Sequence, residues 1–178
     1  MGVAVDCVLR IRTGGGPKGE CPVWSPEEEV LYWVDIDGGT LHRFEPTTGR
    51  DSVCELGEPA GCVGLAAAGG FILGLRSGIC RLNHFAGGKP RLVAAPEADR
   101  LGNRCNDGRC DPWGRFWVGT MLDPAVADRR TGALYCFDGR ECRRVVDDMH
   151  VVNGLAFSPD RRTMYYSDSY TTVRTIWA

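Results

Sequence analysis

NRCNDGRCDPWGRFWVGTM, residues 103–121, decides the fold. It opens on two side-chain amides, an arginine and an aspartate, then turns apolar on either side of Asp111-Pro112-Trp113-Gly114. Proline and glycine at that spacing punctuate a tight turn, and the aromatic residues around it favour strands, so the segment reads as a β-hairpin. Three other stretches follow the same plan: CPVWSPEEEVLYWVDI (21–36), CVGLAAAGGFILGLR (62–76) and LAFSPDRRTMYYSDS (155–169). Aligned on their turns, the markers are Pro26, Gly69, Pro112 and Pro159, a recurrence of about 45 residues.

A third strand follows each hairpin: TLHRFE (40–45), GICRLN (78–83), ALYCFD (133–138) and TVRTIW (172–177). More alternating sequence, such as DSVCEL (51–56) and PRLVAA (90–95), leads into the next hairpin. Three or four strands at this period make one blade of a β-propeller. A β-sandwich could hold the same strands by accidental spacing, but the recurring internal order favours the all-β propeller. From Glu20 onward the chain covers three and a half to four blades.

Composition agrees. The 178 residues are 43% hydrophobic and 25% charged, which excludes a disordered chain. A formal net charge of −2 gives no basic footprint for nucleic acid or an acidic membrane surface. Twenty-four glycines and poor helix signals point to short strands and tight turns. The longest apolar stretch, 62–75, is too short to span a bilayer and breaks at Gly69-Gly70, so no membrane segment is expected. Nine cysteines, an odd number without CxxC spacing, do not form a zinc framework. Several of them (Cys62, Cys80, Cys110, Cys136) lie in apolar runs, where a thiol is a small hydrophobe. The thiols read as reduced and the compartment as cytoplasmic. Met1–Arg12 lacks the apolar run of a signal peptide. Residues 1–18 read as a lead-in strand and Gly-rich loop before a single partial propeller domain over 1–178.

The repeat also points to a site. Six residues before each turn proline stand Glu20, Asn106 and Asn153; the same step from Gly69 reaches the apolar Val63. The first strand of a propeller blade is innermost, so these positions converge on one mouth of the central channel. A carboxylate and two amide carbonyls are hard oxygen donors, suited to Ca²⁺, Mg²⁺ or Mn²⁺. Each has a plainer reading: Glu20 as a solvated loop residue, and Asn106 and Asn153 as turn-forming asparagines before Asp-Gly and Gly. Their common register favours a site.

Three segments, GECPVW (19–24) with YWVDI (32–36), residues 103–121, and NGLAFSPDRRTMYYSDS (153–169), resemble the gluconolactonase/regucalcin (senescence marker protein) family. The resemblance implies a six-bladed propeller with one divalent metal ion (Ca, Zn, Mg or Mn) near the channel mouth. It also implies hydrolysis of sugar lactones such as gluconolactone to aldonic acids. By motif position, Glu20 and Asn153 resemble metal ligands, and Arg104 and Asn106 resemble residues that hold substrate oxygens. The family's acid/base Asp, also a metal ligand, is expected beyond residue 178, so the chain reads as incomplete. Some family members carry a substrate-contacting Glu three residues after Gly-Thr-Met, where this chain has Pro124. Asp123 is the nearest carboxylate and is expected on the opposite strand face if the segment stays extended. Asp168 reads as structural. The alternative is a non-catalytic propeller that binds calcium or another protein.

Other motifs carry less. TGGGPKGE (13–20) lacks the GK[ST] ending of a phosphate loop. No Gly-x-Ser-x-Gly elbow or Cys–His nucleophile is visible. His42 and His84 read as surface or satisfied core; for His150, three residues before Asn153, a place at the mouth is the less favoured reading. Trp24, Trp33, Trp113, Trp117 and Trp177 read as inter-blade core.

Overall fold

Residues 18–178 are described by a computed structural model; all of the lead-in expected over 1–18 except Lys18 lies outside them. All regular structure among the described residues is β-strand, arranged as four antiparallel meanders in chain order. The first sheet holds β1 (Gly19–Ser25), β2 (Val30–Asp35), β3 (Thr40–Glu45) and β4 (Arg50–Glu55). The second holds β5 (Ala60–Leu65), β6 (Phe71–Leu75), β7 (Ile79–Leu82) and β8 (Arg91–Ala94). The third holds β9 (Asn103–Cys110), β10 (Phe116–Leu122), β11 (Gly132–Phe137) and β12 (Cys142–Met149). The fourth holds β13 (Val152–Phe157), β14 (Met164–Asp168) and β15 (Thr175–Trp177).

The first strands of successive sheets touch: β1 meets β5, β5 meets β9, and β9 meets β13. This is the propeller arrangement, with first strands innermost. Apolar residues on both faces of the sheets fill the spaces between blades. Tyr32, Val34, Leu41, Val63, Leu73, Ile79, Phe116 and Val118 are essentially inaccessible. Each contributes roughly 1.5–3 kcal/mol by leaving water. The Tyr32 ring meets Phe71 edge-on at 4.8 Å, joining the first sheet to the second.

The hairpin turns form as the glycines and prolines direct. At the tip of the apolar 62–75 stretch, Gly69 and Gly70 take φ of 80° and 68°, and the Ala66 amide donates to the Gly70 carbonyl at 3.0 Å. The last strand is shorter than expected. Residues 170–174 turn instead, with the Val173 amide donating to Tyr170 O at 2.9 Å, so β15 begins only at Thr175. The tryptophan reading needs correction. Trp24 and Trp113 are 49% and 61% exposed, because each sits beside a hairpin turn at the rim of its sheet. Trp33 stacks on His42 at 3.8 Å. His42 is satisfied core, with Thr40 Oγ1 at 2.9 Å and Asp51 Oδ2 at 2.7 Å from its ring nitrogens.

All eight described cysteines are unpaired thiols. Burial pushes Cys21 up to about 12 and Cys110 and Cys142 up to about 11. These are packing groups, not nucleophiles. No helix among the described residues is long and apolar enough to cross a membrane.

Candidate functional site

Each first strand carries a register shift against its neighbour near the same end. Glu20 pairs with Val34, and Cys21 and Pro22 then face one residue of β2. Asn153 pairs with Ser167, and Gly154 and Leu155 form the corresponding bulge. In β9, Cys105 pairs with Thr120, and Asn106 and Asp107 are the extra pair. In β5 the shift falls between Ala60 and Cys62. A bulge re-aims the side chains around it, and these four lie where the inner strands converge.

This geometry revises the register. Glu20 and Asn153 are equivalent, each the last paired residue before its bulge, whereas Asn106 stands one residue further on. Counting from the turn prolines hid the offset because Pro112 stands seven residues past Cys105, the last paired residue of its strand before the bulge, whereas Pro26 and Pro159 stand six past Glu20 and Asn153. The equivalent of Glu20 in the second sheet is Ala60, not Val63.

Arg104 and Asn106 are brought together. Both are buried, and Arg104 Nη1 donates to Asn106 Oδ1 and to the Cys105 carbonyl, each at 2.9 Å. Asn106 Nδ2 donates across the blade boundary to the Val152 carbonyl at 3.0 Å, one residue before Asn153. Asn153 is half-buried; its Oδ1 accepts the Gly154 amide at 2.9 Å and its Nδ2 donates to Ser169 Oγ at 3.2 Å. Glu20 is exposed, while the adjacent Cys21 Sγ donates to Val63 O and Gly108 O at 3.3 and 3.4 Å. The first bulge thus abuts β5 and β9 two residues past Asn106.

The polar run 106–109 also couples blades. The bulge in β13 leaves backbone groups unpaired within its own sheet, and β9 supplies their partners. Asp107 Oδ2 accepts the Leu155 amide at 3.2 Å, and Arg109 Nε donates to the Leu155 carbonyl at 2.9 Å. Close approach on the other side requires Gly61: a Cβ there would overlap the carbonyl oxygens of Cys105 and Asn106.

Asp123 belongs to the site, contrary to the expectation for an extended strand. β10 ends at Leu122, so alternation stops one residue short of the carboxylate. Asp123 Oδ2 lies 3.1 Å from Arg104 Nε and 2.6 Å from Arg76 Nη2. Arg104 Nε makes no hydrogen bond, so this contact is an ion pair off the N–H axis. Burial alone would raise the Asp123 carboxyl, but the charges of Arg104 and Arg76 hold it below its ordinary value. Nothing in the spacing of Arg76 marked it; it enters because β6 ends beside β5's start, where its amide donates to Pro59 O at 2.9 Å.

Behind Arg104, the buried Glu97 accepts from Thr120 Oγ1 at 2.5 Å, Tyr135 OH at 3.0 Å and Asn103 Nδ2 at 3.0 Å, fixing the start of β9. Asp168 is structural: its fully buried carboxylate accepts the amides of His150, Val151 and Tyr170. His150 is held away from solvent by stacking on Tyr170 at 4.6 Å. An open cleft of about 730 Å³ between the second and third sheets, lined by Arg81, Arg91, Arg140, Phe116 and Phe137, contains none of these residues.

Glu20 and Asn153 suit a hard cation in donor type but not in number. Among the described residues, no three His, Cys, Asp or Glu side chains cluster as a metal site.

Consecutive antiparallel meanders of three or four strands, joined through bulged inner strands, define a β-propeller. The chain belongs to the SMP-30/gluconolactonase/LRE-like family, whose description it matches over residues 18–178. It is 49% identical over 170 residues to a 6-deoxy-6-sulfogluconolactonase of Pseudomonas putida, covering 95% of this chain and 56% of that protein. Xenopus laevis regucalcin is 36% identical over 155 residues, 85% of this chain and 52% of the relative. The structure of a calcium-binding regucalcin from Agrobacterium tumefaciens superposes with a TM-score of 0.78 at 29% identity, covering 85% and 50% of the two chains. The chain therefore spans about half the length of the relatives it matches.

Proposed function

We propose that the protein is a metal-dependent hydrolase of sugar lactones. The observation that carries this reading is the buried Arg104–Asn106 pair at the bulge of β9. A buried guanidinium whose Nη2 makes no hydrogen bond among the described residues, next to an amide with a free lone pair, presents donor and acceptor to a polyhydroxylated ring. Arg104 and Asn106 would orient the lactone and stabilise the oxyanion that develops at its carbonyl. Glu20 and Asn153 would supply two oxygens to a divalent cation. That ion, when bound, would polarise the lactone carbonyl and acidify a water. No residue of this chain is assigned the acid/base role. The names of the relatives, a 6-deoxy-6-sulfogluconolactonase and a calcium-binding regucalcin, support the substrate class and the divalent ion.

A pH-stat assay across five- and six-membered aldonolactones, with chelator controls, tests the activity. Glu20→Gln and Asn153→Ala should weaken metal binding by calorimetry, with partial rescue of the weaker mutant's activity by excess ion. Arg104→Lys keeps the charge but loses the planar fork, and should impair turnover with metal affinity nearly unchanged. Ring opening that survives the chelator rejects the mechanism; metal binding without any ring opening supports the non-catalytic propeller.

A further inference from the structure

Resting on the lactonase reading, we propose that Arg76 is a specificity-determining residue. Together with Asp123 and Arg104 it makes the site selective for sugar lactones bearing an anionic substituent outside the ring.

Two guanidinium groups share one carboxylate oxygen, Asp123 Oδ2, at 2.6 Å from Arg76 and 3.1 Å from Arg104. Guanidinium does not lose its proton in proteins, so this trio carries a net charge of +1. The next carboxylate in the second sheet, Glu58, accepts the Ser77 amide at 2.6 Å and the Ser77 hydroxyl at 2.8 Å and makes no contact ion pair with Arg76, so its charge acts on that guanidinium only at longer range.

The two arginines differ in exposure. Arg104 is almost wholly enclosed, with 5% of its side chain accessible, whereas Arg76 is 39% accessible. Among the described residues its side-chain hydrogen bond is the one from Nη2 to Asp123, which leaves the other donors of the half-exposed fork available. Because the two guanidinium groups share Asp123 Oδ2, Arg76 lies within reach of the exocyclic arm of a ring held by Arg104 and Asn106 in the orientation the inference requires. Asp123 fixes the guanidinium in advance, which limits the entropy lost on capturing an anion. A planar fork matches sulfonate, phosphate or carboxylate oxygens in pairs, which a neutral hydroxymethyl group cannot reproduce.

The experiment compares kcat/KM on gluconolactone with that on its 6-phospho, 6-deoxy-6-sulfo and 6-carboxylate analogues, in wild type, Arg76→Met and Arg76→Lys. Calorimetry on the non-hydrolysed sugars glucose, glucose 6-phosphate and 6-deoxy-6-sulfoglucose runs alongside. The expected result is a preference of about tenfold or more for an anionic analogue. It should fall with rising salt, collapse toward unity in Arg76→Met and persist partly in Arg76→Lys. The best of the three analogues identifies the anion. A purely structural role for Arg76 would lower both rates together and leave the ratio intact. Equal kcat/KM for neutral and charged lactones, or a ratio unmoved by Arg76→Met, overturns the inference and leaves the lactonase reading standing. Failure to open any lactone sinks that reading instead, and the calorimetry still decides the anion preference.

Discussion

Replacing Asp123 with asparagine keeps the shape of the side chain and removes its charge. Arg104 would then keep its hydrogen bonds to Cys105 O and Asn106 Oδ1 but lose its counter-charge. Breaking a buried pair by removing one partner costs about 3–5 kcal/mol. Asp123 is 27% exposed, so water screens part of the interaction, and about 2–3 kcal/mol is the expected loss at neutral pH. In a chain of this size that lowers Tm by about 4–12 °C. The effect should depend on pH. The folded Asp123 carboxyl lies below its ordinary value, because the two arginines outweigh its burial. A depressed carboxyl contributes stability that is present above the unfolded value, about 3.9, and is lost as pH falls through the folded value. Melting curves of both proteins from pH 3 to pH 8 should therefore diverge above about pH 4 and converge below it. Equal melting at pH 7, or a gap of the same size at pH 3, would refute the claim that this carboxylate stabilises the buried arginine by charge.

Gly61→Ala should destabilise by about 1–3 kcal/mol in urea titrations, because the new methyl meets backbone carbonyls that cannot swing aside. Asp107→Ala should cost about 1–2 kcal/mol and speed hydrogen exchange at the Leu155 amide, which loses its acceptor. Burial holds Cys21 near about 12 and Cys110 and Cys142 near about 11, so the folded protein at pH 8 should resist pulse alkylation at all three, read by peptide mass spectrometry. Rapid labelling of Cys21 in the native state would contradict the packing described here.

The blades were legible in the sequence because their determinants are local. Proline and glycine set the turns at 26, 69, 112 and 159, and the aromatic runs after them became β2, β6, β10 and β14. β12 was harder to see, since Arg143, Arg144, Asp147 and Asp148 on this outer strand face water and blunt its apolar signal. Exposure of Trp24 and Trp113 was not readable from residue type, because it depends on distance from the rim. The site was legible in part. Glu20, Arg104, Asn106 and Asn153 were all found on first strands, but their relative offset depended on bulges and loop lengths that composition does not encode. Asp123 and Arg76 depend on where two strands stop, a tertiary property. The bonds from Asp107 and Arg109 to Leu155 join residues 46 or more positions apart, beyond any periodicity within one blade.

The bulged inner strands have a consequence for how such a molecule can change. Glu20 and Asn153 occupy matching positions although their hairpins span 26–29 and 158–163. A difference in loop length at one rim thus coexists with matched positions at the opposite rim. Each sheet behaves like a rule whose zero mark lies at the bulge, with spare length running off the far end. Loops at 26–29, 66–70, 111–115 and 158–163 are therefore the places to graft a new recognition surface. The rim that carries Arg104 and Asn106 would keep its alignment through such a graft.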